Sequence, residues 1–213
     1  MRSIASTAQL FSMGALTLAL SLSGCSSHPT LPTATIQPSA TTQVDDYNYL
    51  IGPNDTLEVF VWRNPEISGS FIVRPDGKIL TPLVEEIDVA GLKPSQVAER
   101  ITKELANYVR EPKVTVSVTN FNGPFSEQVR VIGEASTPKA INYSEHMTLL
   151  DLVIQVGGLT EYADGNDAVL IRIQDGKRVE YALRVDDLVK DGDISANVDI
   201  LPGDIVIIPE AWF

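Results

Sequence analysis

Apolar positions along this chain recur with two periods, and near the N-terminus they merge into one run. After the turn-forming residues Pro53, Asn54 and Asp55, Leu57, Val59 and Val61 alternate with Glu58 and Phe60, which predicts a half-buried strand. Phe71–Val73 and Lys78–Leu80 flank Arg74, Pro75, Asp76 and Gly77, a turn that predicts a hairpin between them. From Pro94 to Tyr108 the period lengthens: Val97, Ile101, Leu105 and Tyr108 define one apolar helical face, with Pro94 in the first turn. Pro112 blocks further helix, and Val114, Val116 and Val118 alternate with Lys113, Thr115, Ser117 and Thr119 in a clear strand pattern.

Gly123 and Pro124 interrupt both periods between Asn120 and Ser126, and a domain boundary is expected there. Beyond it, Gln128–Ile132 reads as a strand, followed by a loop around Pro138. A short helix is expected from Leu149 to Val156, capped by Thr148 with Asp151 three residues on and ended by Gly157 and Gly158. Val169–Ile173 and Val179–Leu183 flank Asp175 and Gly176, a strong hairpin signal, and Pro202, Gly203 and Asp204 lead into a last strand, Ile205–Ile208.

The N-terminal run, Leu10 to Leu22, follows a single charge at Arg2 and ends in small residues, the anatomy of a signal peptide. It is shorter than the roughly 18 to 20 apolar residues that span a bilayer. Leu22, Ser23, Gly24 and Cys25 resemble the bacterial lipoprotein signal, in which the Cys is acylated and becomes the first mature residue. Residues 1–24 are then the signal peptide, and Ser26 after the Cys implies transfer to the outer membrane. Residues 25–44 are expected to be a lipidated flexible tether: Ser26 to Val44 hold three prolines, many Ser and Thr, and no acidic or Lys/Arg side chain.

Charge and chemistry narrow the function. The net charge of −12 argues against nucleic acid and against polybasic attachment to anionic lipid. Cys25 is the only cysteine, so no intrachain disulfide can form. Only His28 and His146 are available as histidines, too few for an ordinary zinc site or a convincing catalytic triad. Asp164, Gly165, Asn166 and Asp167 are better read as a turn than as a calcium loop, because Ala168 occupies a ligand position. The acid pairs Glu85–Glu86 and Asp186–Asp187 read as solvated surface rather than as hydrolase carboxylates. No catalytic residue, cofactor or metal is expected.

Taken in order, these segments resemble a known family. Tyr49–Val59, Val73–Pro82, Val89–Gly91 with the helix after it, and Pro112–Val118 look like the polysaccharide export domain of Wza-type outer-membrane exporters. Val131–Glu134 with Pro138, Thr148–Leu152, Gly157, Gly158, Ala163 and Leu201–Pro209 resemble the SLBB module, a β-grasp unit. Two positions depart from the pattern: Asn54 stands where Gly usually precedes Asp, and Lys139 where Gly commonly follows Pro. The resemblance implies an α+β chain, with a polysaccharide export domain of mixed strands and one amphipathic helix at 45–122 and an SLBB β-grasp domain at 123–213. It also implies a short form, without the C-terminal helix that crosses the outer membrane in the full exporter.

From the resemblance follow a function and partners. The chain is expected to be a non-catalytic component of an exopolysaccharide or capsule export channel, lipid-anchored in the outer membrane and facing the periplasm. Its expected partners are further copies in a homo-oligomeric ring, the exopolysaccharide, an inner-membrane polysaccharide copolymerase and a separate outer-membrane β-barrel. The alternative is a monomeric periplasmic lipoprotein whose SLBB domain binds a glycan or small ligand, with Trp62, Tyr143, Tyr162 and Trp212 as candidate sugar-stacking residues. Trp212 and Phe213 are otherwise expected to pack back on the core.

Overall fold

A computed structural model describes residues 28–34 and 47–212; Cys25, the leader before it and residues 35–46 lie outside the described residues. The fold is α+β, with two separate hydrophobic cores.

The first core forms where two apolar periods meet. Leu57, Val59 and Val61 point inward from β1 (Thr56–Val61), which pairs antiparallel with β2 (Gly69–Ile72) and β5 (Val114–Asn120) in the order β2-β1-β5. Helix α1 (Pro94–Leu105) lays Val97, Ile101 and Leu105 against this face, all three buried. Each such side chain contributes about 1.5–3 kcal/mol through removal from water. The Lys93 amide at the helix entrance donates to Gln96 Oε1 at 2.9 Å, satisfying a backbone group that the helix leaves free. Tyr108, expected on the same stripe, is exposed: the helix stops at Leu105, and the chain turns with the Tyr108 amide donating to the Leu105 carbonyl.

The hairpin expected across Pro75–Gly77 forms its turn but not its ladder. The Gly77 amide donates to the Arg74 carbonyl at 2.9 Å, yet β2 pairs with β1, while β3 (Lys78–Leu80) pairs with β4 (Glu86–Asp88). Val73 explains the divergence. Its amide donates to the Asp55 carbonyl and its carbonyl accepts from the Asn54 amide, so the strand before the turn is committed to the start of β1.

The second core lies between a five-stranded sheet, ordered β7-β6-β10-β8-β9, and helix α2 (Leu149–Gln155). In this mixed sheet β10 (Ile205–Ile208) runs parallel to β6 (Gln128–Gly133) and antiparallel to β8 (Val169–Gln174). Strand β9 (Lys177–Ala182) returns from β8 through Asp175 and Gly176, both at positive φ, as the two-residue turn requires. Thr148 and Asp151 form the expected capping box: the Thr148 amide donates to Asp151 Oδ2 at 3.0 Å and the Asp151 amide to Thr148 Oγ1 at 3.5 Å. The sequence pattern does not disclose β4, β7 (Lys139–Asn142) or α3 (Val185–Val189), each too short to establish a period. Lys139 opens β7, so its departure from the family's Gly falls at a strand start.

Residues 28–34, expected to belong to a free tether, run along the second unit instead. Thr30 bridges Ala182 in parallel, so this strap extends the sheet beyond β9, and Thr33 bridges Val198. The Ala182 amide donates to the Pro29 carbonyl at 3.0 Å, the Ala34 amide to the Asn197 carbonyl at 2.7 Å, and Leu31 packs on the second core. Leu31 and Ala34 are the apolar reason for docking; the backbone bonds set the register.

Candidate functional site

A buried polar constellation lies at the junction between the two units, and it is built on Asp55. This carboxylate is fully buried at the entrance to β1. Its Oδ2 accepts from the Gly52 amide at 2.8 Å and from the Tyr49 hydroxyl at 2.7 Å, and its Oδ1 accepts from the amides of Asn122 at 2.6 Å and Gly123 at 2.9 Å. Both oxygens are therefore saturated by donors from the chain entering the first unit and the chain leaving it. Desolvation, with the hydrogen bond to Asp55 adding to it, holds the Tyr49 phenol well above its ordinary pKa, so it stays a donor at any physiological pH.

Two glycines let these segments touch. A Cβ on Gly52 would lie 2.0 Å from the Gly123 carbonyl carbon, and Gly123 itself has φ +66°. Asn54 adopts φ 68°, a left-handed conformation that Gly or Asn tolerates, which accounts for the departure from the family pattern at that position. Tyr49 meets Phe121 edge-on at 5.2 Å, and Tyr47 meets Tyr143 at 5.0 Å, so aromatic contacts flank the polar centre on both sides. In the sequence Asp55 is legible only as a turn residue; its role depends on Asn122 and Gly123, 67 and 68 positions away.

A second buried polar pair lies inside the β-grasp unit. Arg172 donates to both carboxylate oxygens of Asp204, at 2.9 and 2.6 Å, and to the Asp199 carbonyl at 2.9 Å, while Asp204 also accepts from the Leu201 amide at 2.7 Å. Burial raises the Asp204 carboxyl above its ordinary pKa, and the guanidinium counteracts that only in part. The pair closes the turn before β10 and is buried, the Arg172 side chain 8 % and the Asp204 side chain 1 % exposed.

Of the carboxylates singled out from sequence, Glu86, Asp186 and Asp187 have structural partners. Glu86 is held by Arg74 at 2.7 Å and Lys78 at 3.1 Å, and the Arg74 hydrogen bond, with Lys78 adding to it, keeps its carboxyl below its ordinary value. A carboxylate so stabilised is a poor general acid. It borders a cleft of about 730 Å³ between β4 and α1, lined among others by Leu83, Glu85, Asp88, Arg100 and Tyr108. Asp186 accepts from the Gly165 amide and pairs with Lys190, while Asp187 pairs with Arg184 and accepts from Asn166 Nδ2 at 2.7 Å. These contacts clamp α3 to the Asp164–Asp167 turn, in which Asp164 Oδ1 accepts from the Asp167 amide. Among the described residues no group of His, Cys, Asp and Glu could hold a metal ion, and no helix is long and apolar enough to cross a membrane.

The four candidate stacking residues separate. Tyr143 is buried in the second core, Tyr162 and Trp62 are about half exposed, and Trp212 is 99 % exposed. The expectation that Trp212 packs on the core is thus not met. The Ala211 amide beside it bonds to the Tyr162 carbonyl, which fixes the backbone and leaves the indole outside. His28 pairs with Glu180 at 3.4 Å, and His146 is exposed beside Glu145. Cys25 lies outside the described residues.

Comparison with known proteins agrees with this two-unit construction. Residues 43–119 match the family described as "Polysaccharide biosynthesis/export protein", and residues 127–208 match the SLBB domain. The EPS I polysaccharide export outer membrane protein EpsA of Ralstonia nicotianae is 28 % identical over 187 residues, covering 76 % of this chain and 47 % of that protein. The capsule polysaccharide export protein BexD of Haemophilus influenzae is 27 % identical over 180 residues, 75 % of this chain and 43 % of that protein. The polysialic acid transport protein KpsD of Escherichia coli is 25 % identical over 161 residues, 76 % of this chain and 28 % of that protein. The chain thus spans less than half the length of these curated relatives. With the two matches adjoining across the Asp55 junction, each enclosing one hydrophobic core, the chain belongs to the Wza-type polysaccharide export family, an export domain followed by an SLBB domain.

Proposed function

We propose that the protein is a non-catalytic component of an exopolysaccharide or capsule export channel, anchored by lipid on Cys25 in the outer membrane and facing the periplasm. The observation that carries this reading is the joined pair of domain matches, together with relatives named for polysaccharide export. The geometry supports a passive role. The buried carboxylates at Asp55 and Asp204 are saturated by structural donors, and Glu86, Asp186 and Asp187 are bound in ion pairs.

In this reading, copies of the chain associate head to tail, and the rotation between neighbours closes a ring around the polymer. The junction at Asp55 matters because a ring closes only if every copy holds its two units at the same angle. An inner-membrane copolymerase supplies polymer and a separate outer-membrane barrel completes its passage. The test is surface exopolysaccharide in a strain lacking the chain, compared with strains carrying the intact chain or Cys25→Ser. Loss of surface polymer in the deletion strain, restored only by the intact chain, is the expected result. Unchanged surface polymer in a deletion strain without a second copy of such a protein would sink the export reading.

A further inference from the structure

The sheet of the second unit is apolar on both faces. Val131, Leu170 and Val206 point into the core, and strand alternation turns Ile132, Val169, Ile171, Ile173, Ile205 and Ile207 to the other side. Register gathers these six into one patch. Ile132, Ile207 and Val169 form a row across β6, β10 and β8, Ile205 and Ile171 stand in the next row, and Ile173 lies beyond them near the end of β8. A sheet with one face in water alternates apolar and polar residues, whereas strands covered on both faces read as continuous apolar runs. β10 is wholly aliphatic, and β8 is aliphatic at every position but Arg172 and Gln174. Yet Ile132 is 47 % and Ile173 65 % exposed, and the other four are only partly buried. Among the described residues no helix is left to cover them, since α2 and α3 bury their apolar sides in the inner core and α1 in the first unit.

The polar residues of this outer face form its margin. Toward β7 stand Arg130, whose guanidinium donates to the Phe125 carbonyl at 2.6 Å, and Gln128 and Asn142, which are paired across the ladder. Along β9 stand Glu180 and Arg178, opposite Ile171 and Ile173 and bound to each other at 2.6 Å. Past the strand ends the chain carries Glu134, Asp167, Asp175 and Arg184. Charge thus borders the patch, and an apolar centre with a polar border marks a membrane or protein contact.

The docked strap favours the membrane. Thr30 bridges Ala182 in parallel, and two residues earlier in both segments His28 Nε2 meets Glu180 Oε2 at 3.4 Å, at the edge of the outer face. Because the strap runs parallel to β9, its N-terminal end points toward the β8–β9 turn and Ile173. Cys25 precedes His28 by three residues, a reach of at most about 11 Å. With the strap docked, only residues 26 and 27 separate the candidate lipid site from the folded body, in place of a long tether. A bilayer holding acyl chains on Cys25 is therefore within about 11 Å of the edge of the patch, at an effective concentration that a freely diffusing partner does not match.

We infer that the outer face of β6-β10-β8 is a membrane-contact surface: the six aliphatic side chains lie against the lipid headgroup boundary, and the strap holds the second unit on the bilayer. The inference rests on the lipid anchor proposed above and deepens it by naming the part of the fold that the anchor brings to the lipid.

The cysteine count makes the test direct. Cys25 is the only cysteine and is blocked once acylated, so one added thiol can be labelled by itself. Mature lipidated protein carrying Ile173→Cys is labelled with bimane and reconstituted in vesicles of phosphatidylethanolamine and phosphatidylglycerol, with and without lipid bearing a nitroxide near the headgroup. Ile154→Cys is the control, because Ile154 is 67 % exposed on α2, across the inner core from the patch. The expected result is loss of emission at position 173 when the nitroxide lipid is present, with emission at position 154 unchanged. Ile132→Cys replaces Ile173→Cys if far-UV circular dichroism shows the latter to be misfolded, and it too should be quenched. Leu31→Asp with Ala34→Asp, which removes the apolar hold of the strap, should restore emission at position 173.

Equal emission at positions 173 and 154 in acylated protein overturns the inference. So does a probe at position 173 that the nitroxide lipid leaves bright while its emission shifts with protein concentration, which would assign the face to a second copy of the chain. Undiminished quenching in the Leu31→Asp, Ala34→Asp protein would refute the role given to the strap. Mass spectrometry of the N-terminal peptide tests the anchor separately: an unacylated Cys25 refutes the anchor and the inference together, whereas an acylated chain unquenched at position 173 refutes the inference alone. A deletion strain with normal surface polymer would instead refute the export reading and leave the quenching result standing.

Discussion

Asp55 shows how a single side chain can set the relation between two domains. Each of its oxygens accepts two hydrogen bonds, so Asp55→Asn does more than remove a charge: its amide nitrogen must face N–H or O–H donors on one side. We therefore expect Asp55→Asn to cost nearly as much as Asp55→Ala, about 3–5 kcal/mol, since buried donors are left unpaired in either variant. Urea denaturation measures the loss, and an asparagine variant close to wild type would contradict this account of the junction. Asp204→Ala leaves the Arg172 guanidinium buried without its partner and should cost about 3–5 kcal/mol in the same assay. Glu86 illustrates the opposite, solvent-exposed case. Because its folded pKa is lowered from 4.5, its contribution is fully present above that value and is lost as pH falls through the folded pKa. Thermal melts of wild type and Glu86→Gln should differ most near neutral pH and converge in acid, and added salt should reduce the difference at neutral pH.

At the level of elements, strands marked by alternation or by a flanking turn are legible in the sequence, while β4, β7 and α3, which carry neither mark, are not. β1, β5, β6, β8 and β10 each carry a run of alternating or β-branched residues, and α2 carries its cap and its terminating glycines. Pairing is less legible than existence. The Pro75–Gly77 turn is present, yet the strands around it go to different sheets, because the six residues of β1 offer β2 a longer partner than the three of β3. The strap leaves no mark in the pattern because it has no period at all: its binding comes from backbone bonds to β9, from Leu31 packing on the second core and from burial of Ala34. Leu31→Asp with Ala34→Asp should release it. The Ala182 amide, which donates to Pro29, should then exchange with deuterium faster, and unchanged protection at Ala182 would show that the strap does not depend on those two side chains.

For the molecule as a whole, the charge argues against nucleic acid and the order of motifs leads to the export family, both from sequence alone. A boundary near Gly123 is also expected there, from a break in two periods. What the sequence determined by itself is whatever depends on neighbours within about ten residues: strand alternation, the apolar face of α1, the capping box and the hairpin at Asp175–Gly176. Only the tertiary structure decided how distant segments meet. It brought Asn122 and Gly123 onto Asp55, paired β2 with β1, laid residues 28–34 on β9, and left Trp62 beside Phe60 on an uncovered sheet face while burying Tyr143. The physical reason is that local periodicity specifies which face of an element is apolar, whereas the partner of that face, and the fate of the opposite one, depends on contacts between residues far apart in the chain.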